Sequence, residues 1–237
     1  MMVVGLVGMI ICSKKQKTNP AMQPAAFGLF VVVVIGAIML LKGMFSGNSE
    51  ILEKEMAFAH SRGYVVGKYL KGVAADKKVL FVADPLYAES KTGSALIKGF
   101  KSGYGSDNIV FDNVKPAKMG EESSIEESMT PADMDALFAA HTDAGVIITT
   151  IGLPQNAKKM KYFNSKDAKP VLFLLSAGLG GNKLNKYIES GVIAGGLTNN
   201  LKADYRAPAA KTPEDTFKIR YILVDKSNIA AHASMFE

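Results

Sequence analysis

Apolar and polar positions alternate along this chain in blocks whose lengths predict the elements. Apolar runs of three to five residues recur at "KKVLFVAD", "NIVFDNV", "AGVIITTIG", "KPVLFLLSAG" and "GVIAGGL". Each is too short for a helix and too uniformly apolar for a half-exposed strand, which predicts strands buried on both faces. Between them lie segments with helical spacing. "ESKTGSALIKGFKSGYG" turns Ala95, Leu96, Ile97 and Phe100 inward. "TPADMDALFAAHT" opens on Thr130 as cap, Pro131 in the first turn and Asp133 as the reciprocal capping partner. "QNAKKMKYFNSKD" and "GNKLNKYIES" predict two further helices, and the acidic "MGEESSIEES" predicts a loop. Strands separated by helical crossovers make a doubly wound, mainly parallel α/β sheet of about five strands. This lobe is expected over residues 73–200.

Two other patterns flank it. The run from Ala21 to Leu41 carries no charge and is followed by Lys42. About 20 apolar residues cross the ~30 Å hydrocarbon layer as a helix, so 21–42 predicts a transmembrane segment inside an anchor region 1–45. The apolar stretch 1–12 is short for a crossing; it reads either as a partial span or as an interfacial segment. "SKKQKTNPAMQP" between the two holds Lys14, Lys15 and Lys17, which places that loop in the cytoplasm and the lobe on the periplasmic or extracellular side of the cytoplasmic membrane.

Residues 46–72 predict a connector helix, begun by Asn48 and Ser49. Its Leu52, Met56, Ala59, Gly63, Val66 and Leu70 fall at alternating spacings of four and three and form a narrow apolar stripe. That stripe either packs on its own domain or meets another subunit just above the membrane. Residues 201–237 predict an extended tail in which "TFKIRYILV" alternates like a strand able to add to the sheet edge.

Composition and chemistry narrow the function by exclusion. The net charge of +6 arises from scattered lysines, with arginine only at Arg62, Arg206 and Arg220, so no nucleic-acid surface is expected. The lone Cys12 excludes an internal disulfide and a paired-cysteine metal site. His60, His141 and His232 stand far apart, so no metal site is expected; His141 could pair with nearby Asp143 or simply close its helix. None of the common hydrolase, zinc-protease or nucleotide-loop motifs occurs, and no catalytic residue or cofactor is assigned. "SAGLGGNK" could cradle an anion through Gly178, Gly180 and Gly181, or could be a tight turn.

The segments "VLFVADPLYAESKTGSALIKGFKSGYG", "DMDALFAAHTDAGVIITTIGLP" and "KPVLFLLSAGLGG…YIESGVIAGGL" resemble, in their order, one lobe of the type I periplasmic-binding-protein fold, the solute receptors of transporters and related repressors. "FKIRYILVDKSNI" resembles their closing strand. Such receptors trap solute between two lobes, and after the fifth strand only about forty residues follow here. The expectation is therefore a non-catalytic, membrane-anchored accessory subunit that docks onto a larger membrane assembly or onto copies of itself. The alternative is a membrane-tethered ligand-binding sensor or solute receptor. Open α/β sheets bind beyond the carboxyl ends of their strands, where hydrogen-bonding side chains are Asp84, Tyr87, Ser90, Thr150, Gln155, Ser176 and Asn199. Lipid, protein subunits and a small molecule are the partners to be weighed.

Overall fold

The structure, a computed structural model, describes residues 22–118, 124–165, 168–175 and 184–232. Within the first helix, α1 (Met22–Ala74), side chains are described at 30, 31, 33 and 34 and from 49 onward. The chain divides into two units, Met1–Glu53 and Lys54–Glu237. In the first, α1 carries exposed Phe30, Val31 and Val34. Among the described residues no helix is long and apolar enough to cross a membrane. The side chains that carry most of the apolar run 21–42, and the whole of the segment 1–12, lie outside the described residues.

The second unit is an α/β layer structure. Its strands are β1 (Val79–Val82), β2 (Ile109–Asp112), β3 (Val146–Thr149), β4 (Val171–Leu174), β5 (Gly195–Asn199) and β6 (Tyr221–Asp225). They form one sheet in the order β2-β1-β3-β4-β5-β6. The first five run parallel, and β6 closes the edge antiparallel to β5. The sheet thus has one strand more than the apolar runs predict, contributed by the tail.

Helices α2 (Pro85–Glu89) and α3 (Lys91–Tyr104) follow β1. Helices α4 (Ile125–Ser128) and α5 (Pro131–Ala140) precede β3, and α6 (Lys161–Asn164) and α7 (Asn185–Glu189) flank β4. The tail adds α8 (Pro213–Arg220) and α9 (Ile229–His232). Side chains alternate across the central strands as the pleat requires. Val79, Phe81, Val146, Ile148 and Phe173 face a core built with Ala59, Leu96, Phe100 and Phe217 from α1, α3 and α8. Leu80, Val82, Ile147, Leu172 and Leu174 face the opposite core with Met134, Met160, Leu184 and Ile188. β1 and β3 are buried at every position, the reason their sequences are continuous rather than alternating.

The stripe on α1 is covered by the chain's own α3. A Cβ on Gly63 would stand 1.9 Å from the Leu96 carbonyl oxygen, and one on Gly67 would stand 2.5 Å from that of Phe100. Reciprocally, a Cβ on Gly99 would meet the His60 oxygen at 2.0 Å and one on Gly103 the Tyr64 oxygen at 2.1 Å. Four glycines, two per helix at four-residue spacing, let the two backbones touch. Ala59, Val66 and Leu70 are buried in the same core; Met56 is half-buried against it, and Leu52 belongs to the first unit. Ala59, Gly63, Val66 and Leu70 thus serve the domain's own packing.

Other expectations need correction. The tail is not extended through "TFKIR": Pro213–Arg220 is helical, started by Thr212, whose hydroxyl accepts from the Asp215 N–H, with Pro213 in the first turn. Only Tyr221–Asp225 is strand. The helix expected over "QNAKKMKYFNSKD" is broken into a 3₁₀ turn at Ala157–Lys159, which starts after the left-handed Asn156 (φ 59°), and the short α6, the two being separated by Met160 in an extended conformation (φ −62°, ψ 144°). The loop expected at "MGEESSIEES" includes α4, closed by a capping box between Ser124 and Glu127.

Candidate functional site

The strand order reverses between β1 and β3: β2 lies on one side of β1, and β3, β4 and β5 lie on the other. At such a switch point the loops leaving neighbouring strands diverge and open a crevice. Val82 pairs with Thr149, so the segments that begin at Ala83 and Thr150 leave the sheet side by side. Thr150 donates its N–H to the Val82 oxygen at 2.9 Å, and its hydroxyl reaches the same oxygen at 3.4 Å. The buried Thr149 hydroxyl donates to the Gly152 carbonyl at 2.9 Å and fixes the turn beyond β3.

Asp84 is the first polar residue after β1, and it caps α2: its Oδ1 accepts from the N–H groups of Leu86 at 2.8 Å and Tyr87 at 3.2 Å. Ser90 caps α3; its hydroxyl accepts from the Gly93 N–H at 3.0 Å and donates to the Tyr87 carbonyl at 2.6 Å. Tyr87 is half-buried, and its phenolic oxygen accepts from Arg62 Nη2 at 2.7 Å. These three side chains therefore already have partners within the chain. Leu86, between them, is 79% exposed.

The remaining expected residues are spread out. Gln155 is exposed in the loop after β3. Asn199 ends β5, opposite Tyr221 of β6, with β3 and β4 between it and β1. Ser176, Gly178, Gly180 and Gly181 lie outside the described residues. The structure thus gathers Asp84, Tyr87, Ser90 and Thr150 at the switch point and leaves Asn199 at the far side of the sheet. It also brings in Arg62 from α1, whose guanidinium lies 5.6 Å from the Tyr221 ring centroid. Nothing in the periodicity of α1 marks Arg62; its place as one of three arginines was the only signal.

A concavity of about 430 Å³ lies between α1 and α3, lined by Met56, Ala57, His60, Glu89, Lys91 and Lys98 among others. Burial, and then the charge of Lys98, hold the His60 imidazole below its ordinary value of 6.5, so the ring is neutral at physiological pH. His141 meets Asp112 rather than Asp143: its Nε2 lies 2.8 Å from Asp112 Oδ2, while Asp143 pairs with Lys78. That hydrogen bond holds the Asp112 carboxyl below the usual carboxylate range. Among the described residues no three acidic, histidine or cysteine side chains converge as a metal site.

No family model matches the chain, and no curated protein matches it. Solved structures similar to it include a sugar-binding protein of a sugar ABC transporter from Bacillus halodurans, with 9% identity over 73% of this chain and 64% of that chain and a TM-score of 0.46. A substrate-binding protein of a sugar ABC transport system from Bordetella parapertussis has 16% identity over 75% and 59%, with a TM-score of 0.45. An arabinose binding protein from Geobacillus stearothermophilus has 12% identity over 73% and 62%, with a TM-score of 0.44. The chain spans less than two thirds of the length of each of these proteins.

Proposed function

We propose that the chain is a non-catalytic, membrane-tethered receptor or sensor lobe that binds a small polar molecule beyond the carboxyl ends of β1 and β3. The observation that carries this reading is the strand-order reversal between β1 and β3, beside which the Asp84 and Thr150 segments leave the sheet as neighbours. Among the described residues, the side chains around it offer hydroxyl, phenol, carboxylate and guanidinium groups with no nucleophile and base in mutual contact, which suits recognition. The uncharged run from Ala21 to Leu41 serves as the tether, and Lys14, Lys15 and Lys17 hold its leading side in the cytoplasm, so the lobe works outside the cytoplasmic membrane.

Thermal unfolding of the full chain in detergent, screened against sugars, amino acids and small organic acids, tests the binding. A ligand at about 100 times its Kd stabilises the folded state by about 2.7 kcal/mol, which raises Tm by roughly 5–10 °C for a domain of this size. No rise with any compound class would contradict the reading.

A second reading, an accessory subunit that docks onto other membrane proteins, is favoured by one observation. Asp84, Tyr87 and Ser90 are engaged within the chain, while apolar Leu86 stands exposed among them. Alkaline extraction of membranes and co-purification of a stoichiometric protein partner would support it over the first.

A further inference from the structure

Arg62 of α1 and Arg220 at the end of α8 are both packed against α1 or its neighbours, and their surroundings differ in charge. Arg220 is 2% exposed and is neutralised: Nη1 donates to both Glu55 carboxylate oxygens at 3.0 and 2.8 Å. Its Nη2 donates to the Tyr205 carbonyl at 3.0 Å, and the guanidinium stacks 3.5 Å from the Phe58 ring centroid. Arg62 is half-buried; its Nη2 donates to the Tyr87 hydroxyl at 2.7 Å and its guanidinium lies 5.6 Å from the Tyr221 ring centroid, both of them neutral groups. The ion pairs among the described residues involve Lys68, Lys78, Lys101, His141, Lys218 and Arg220, and Arg62 is in none of them. Nε of each arginine is buried without a hydrogen-bond partner, but only Arg62 also lacks a carboxylate.

A partly buried cation without a counter-charge is costly, and an arriving anion would offset that cost. Its position is informative. Tyr87 lies on α2, directly after β1, and Tyr221 pairs with Asn199 at the carboxyl end of β5. Arg62 therefore reaches the binding rim from behind, from a helix that precedes the whole sheet in sequence.

We propose that Arg62 is the anion-recognising residue of the rim and that the ligand is a small monocarboxylate, held by the planar guanidinium with its organic body against Tyr87 and Tyr221. One guanidinium matches one carboxylate in a two-point contact. Phosphate is disfavoured, because among the described residues Arg62 meets the Tyr87 hydroxyl and the Tyr221 ring and no lysine joins them to share a second charge. Tyr87 positions the fork through its hydrogen bond to Nη2. This assignment rests on the rim reading of the preceding section.

The test uses the full chain in detergent, titrated with small carboxylates, their matched primary amides and inorganic phosphate, for the wild type and for Arg62→Met. Carboxylates bind the wild type and their amides bind at least tenfold more weakly. Arg62→Met weakens carboxylate binding by about 10- to 100-fold, the worth of a charged hydrogen-bonded contact. Without ligand, Arg62→Met keeps or raises Tm, since an uncompensated charge leaves, whereas Arg220→Met lowers it. Should Arg62→Met fail to fold, Arg62→Lys keeps the charge, loses the fork and must show intermediate carboxylate affinity. Equal binding of acids and amides overturns the role of Arg62 while leaving the rim reading intact, as does unchanged carboxylate affinity in Arg62→Met. Preference for phosphate overturns the ligand class. Binding of none of the probes overturns both the assignment and the rim reading.

Discussion

Replacement of Gly63 by alanine tests the packing that holds the connector helix to the lobe. The added Cβ would stand 1.9 Å from the Leu96 carbonyl oxygen and 2.7 Å from the Phe100 nitrogen, both backbone atoms that cannot swing aside. Ordinary contact begins at 3.4 Å, so the helices must part by 3.4 − 1.9, about 1.5 Å, along that line. A separation of that size loosens Ala59, Val66, Leu96 and Phe100, which fill this side of the core. Overpacking of this kind costs about 3 kcal/mol. Alanine returns up to about 1 kcal/mol through its better helix propensity, leaving a net loss of about 2 kcal/mol. At roughly 2–4 °C per kcal/mol, Tm should fall by roughly 4–8 °C. Gly72→Ala is the matched control, because nothing lies within 4 Å of its Cβ direction on the same helix. Thermal unfolding of both variants followed by circular dichroism gives the answer. A Gly63→Ala protein that is as stable as Gly72→Ala would refute the close helix crossing.

Three further outcomes are expected. Thr130→Ala removes a capping box with Asp133 and should cost about 1 kcal/mol, read as a lower urea midpoint with unchanged slope. Burial pushes the Tyr162 phenol up to about 12, while its hydroxyl donates to the Pro170 and Val192 carbonyls. A raised folded value means that this stability is present below about pH 10 and is lost as pH rises through about 12, by up to roughly 2–3 kcal/mol; Tyr162→Phe should flatten that alkaline limb of a pH–stability curve. The Asp112 carboxyl is held low by His141, so its contribution is present above the ordinary value of 3.8 and is lost as pH falls through the lower folded value; Asp112→Asn should weaken acid sensitivity in pH-jump unfolding.

The central strands were legible because burial on both faces leaves no alternation to misread: Val79–Val82 and Val146–Thr149 are apolar in sequence and buried at every residue in the fold. Thr130 with Asp133 was legible as a cap because both partners lie within one turn. The tail was misread because "TFKIRYILV" alternates in apolar character, while the local start signal Thr212-Pro213-x-Asp215 decides its first half as helix. The long-range pairings had no local trace. His141 with Asp112 spans 29 residues and Arg220 with Glu55 spans 165, so Asp143 looked the nearer partner for His141 and Glu55 had no sign of one. At the switch point, Asp84 and Ser90 were visible as polar groups after a strand, but their use as helix caps depends on where α2 and α3 begin. Arg62 was invisible as a rim residue, because only folding brings α1 to Tyr87 and Tyr221.

Native mass spectrometry of the full chain, purified in detergent from its source cells, tests the receptor reading most directly. The account predicts a population carrying one small organic acid, which is lost from Arg62→Met and retained by Gly72→Ala. A chain that emerges free of any small molecule and bound instead to a stoichiometric protein partner, with Arg62→Met behaving identically, would contradict it.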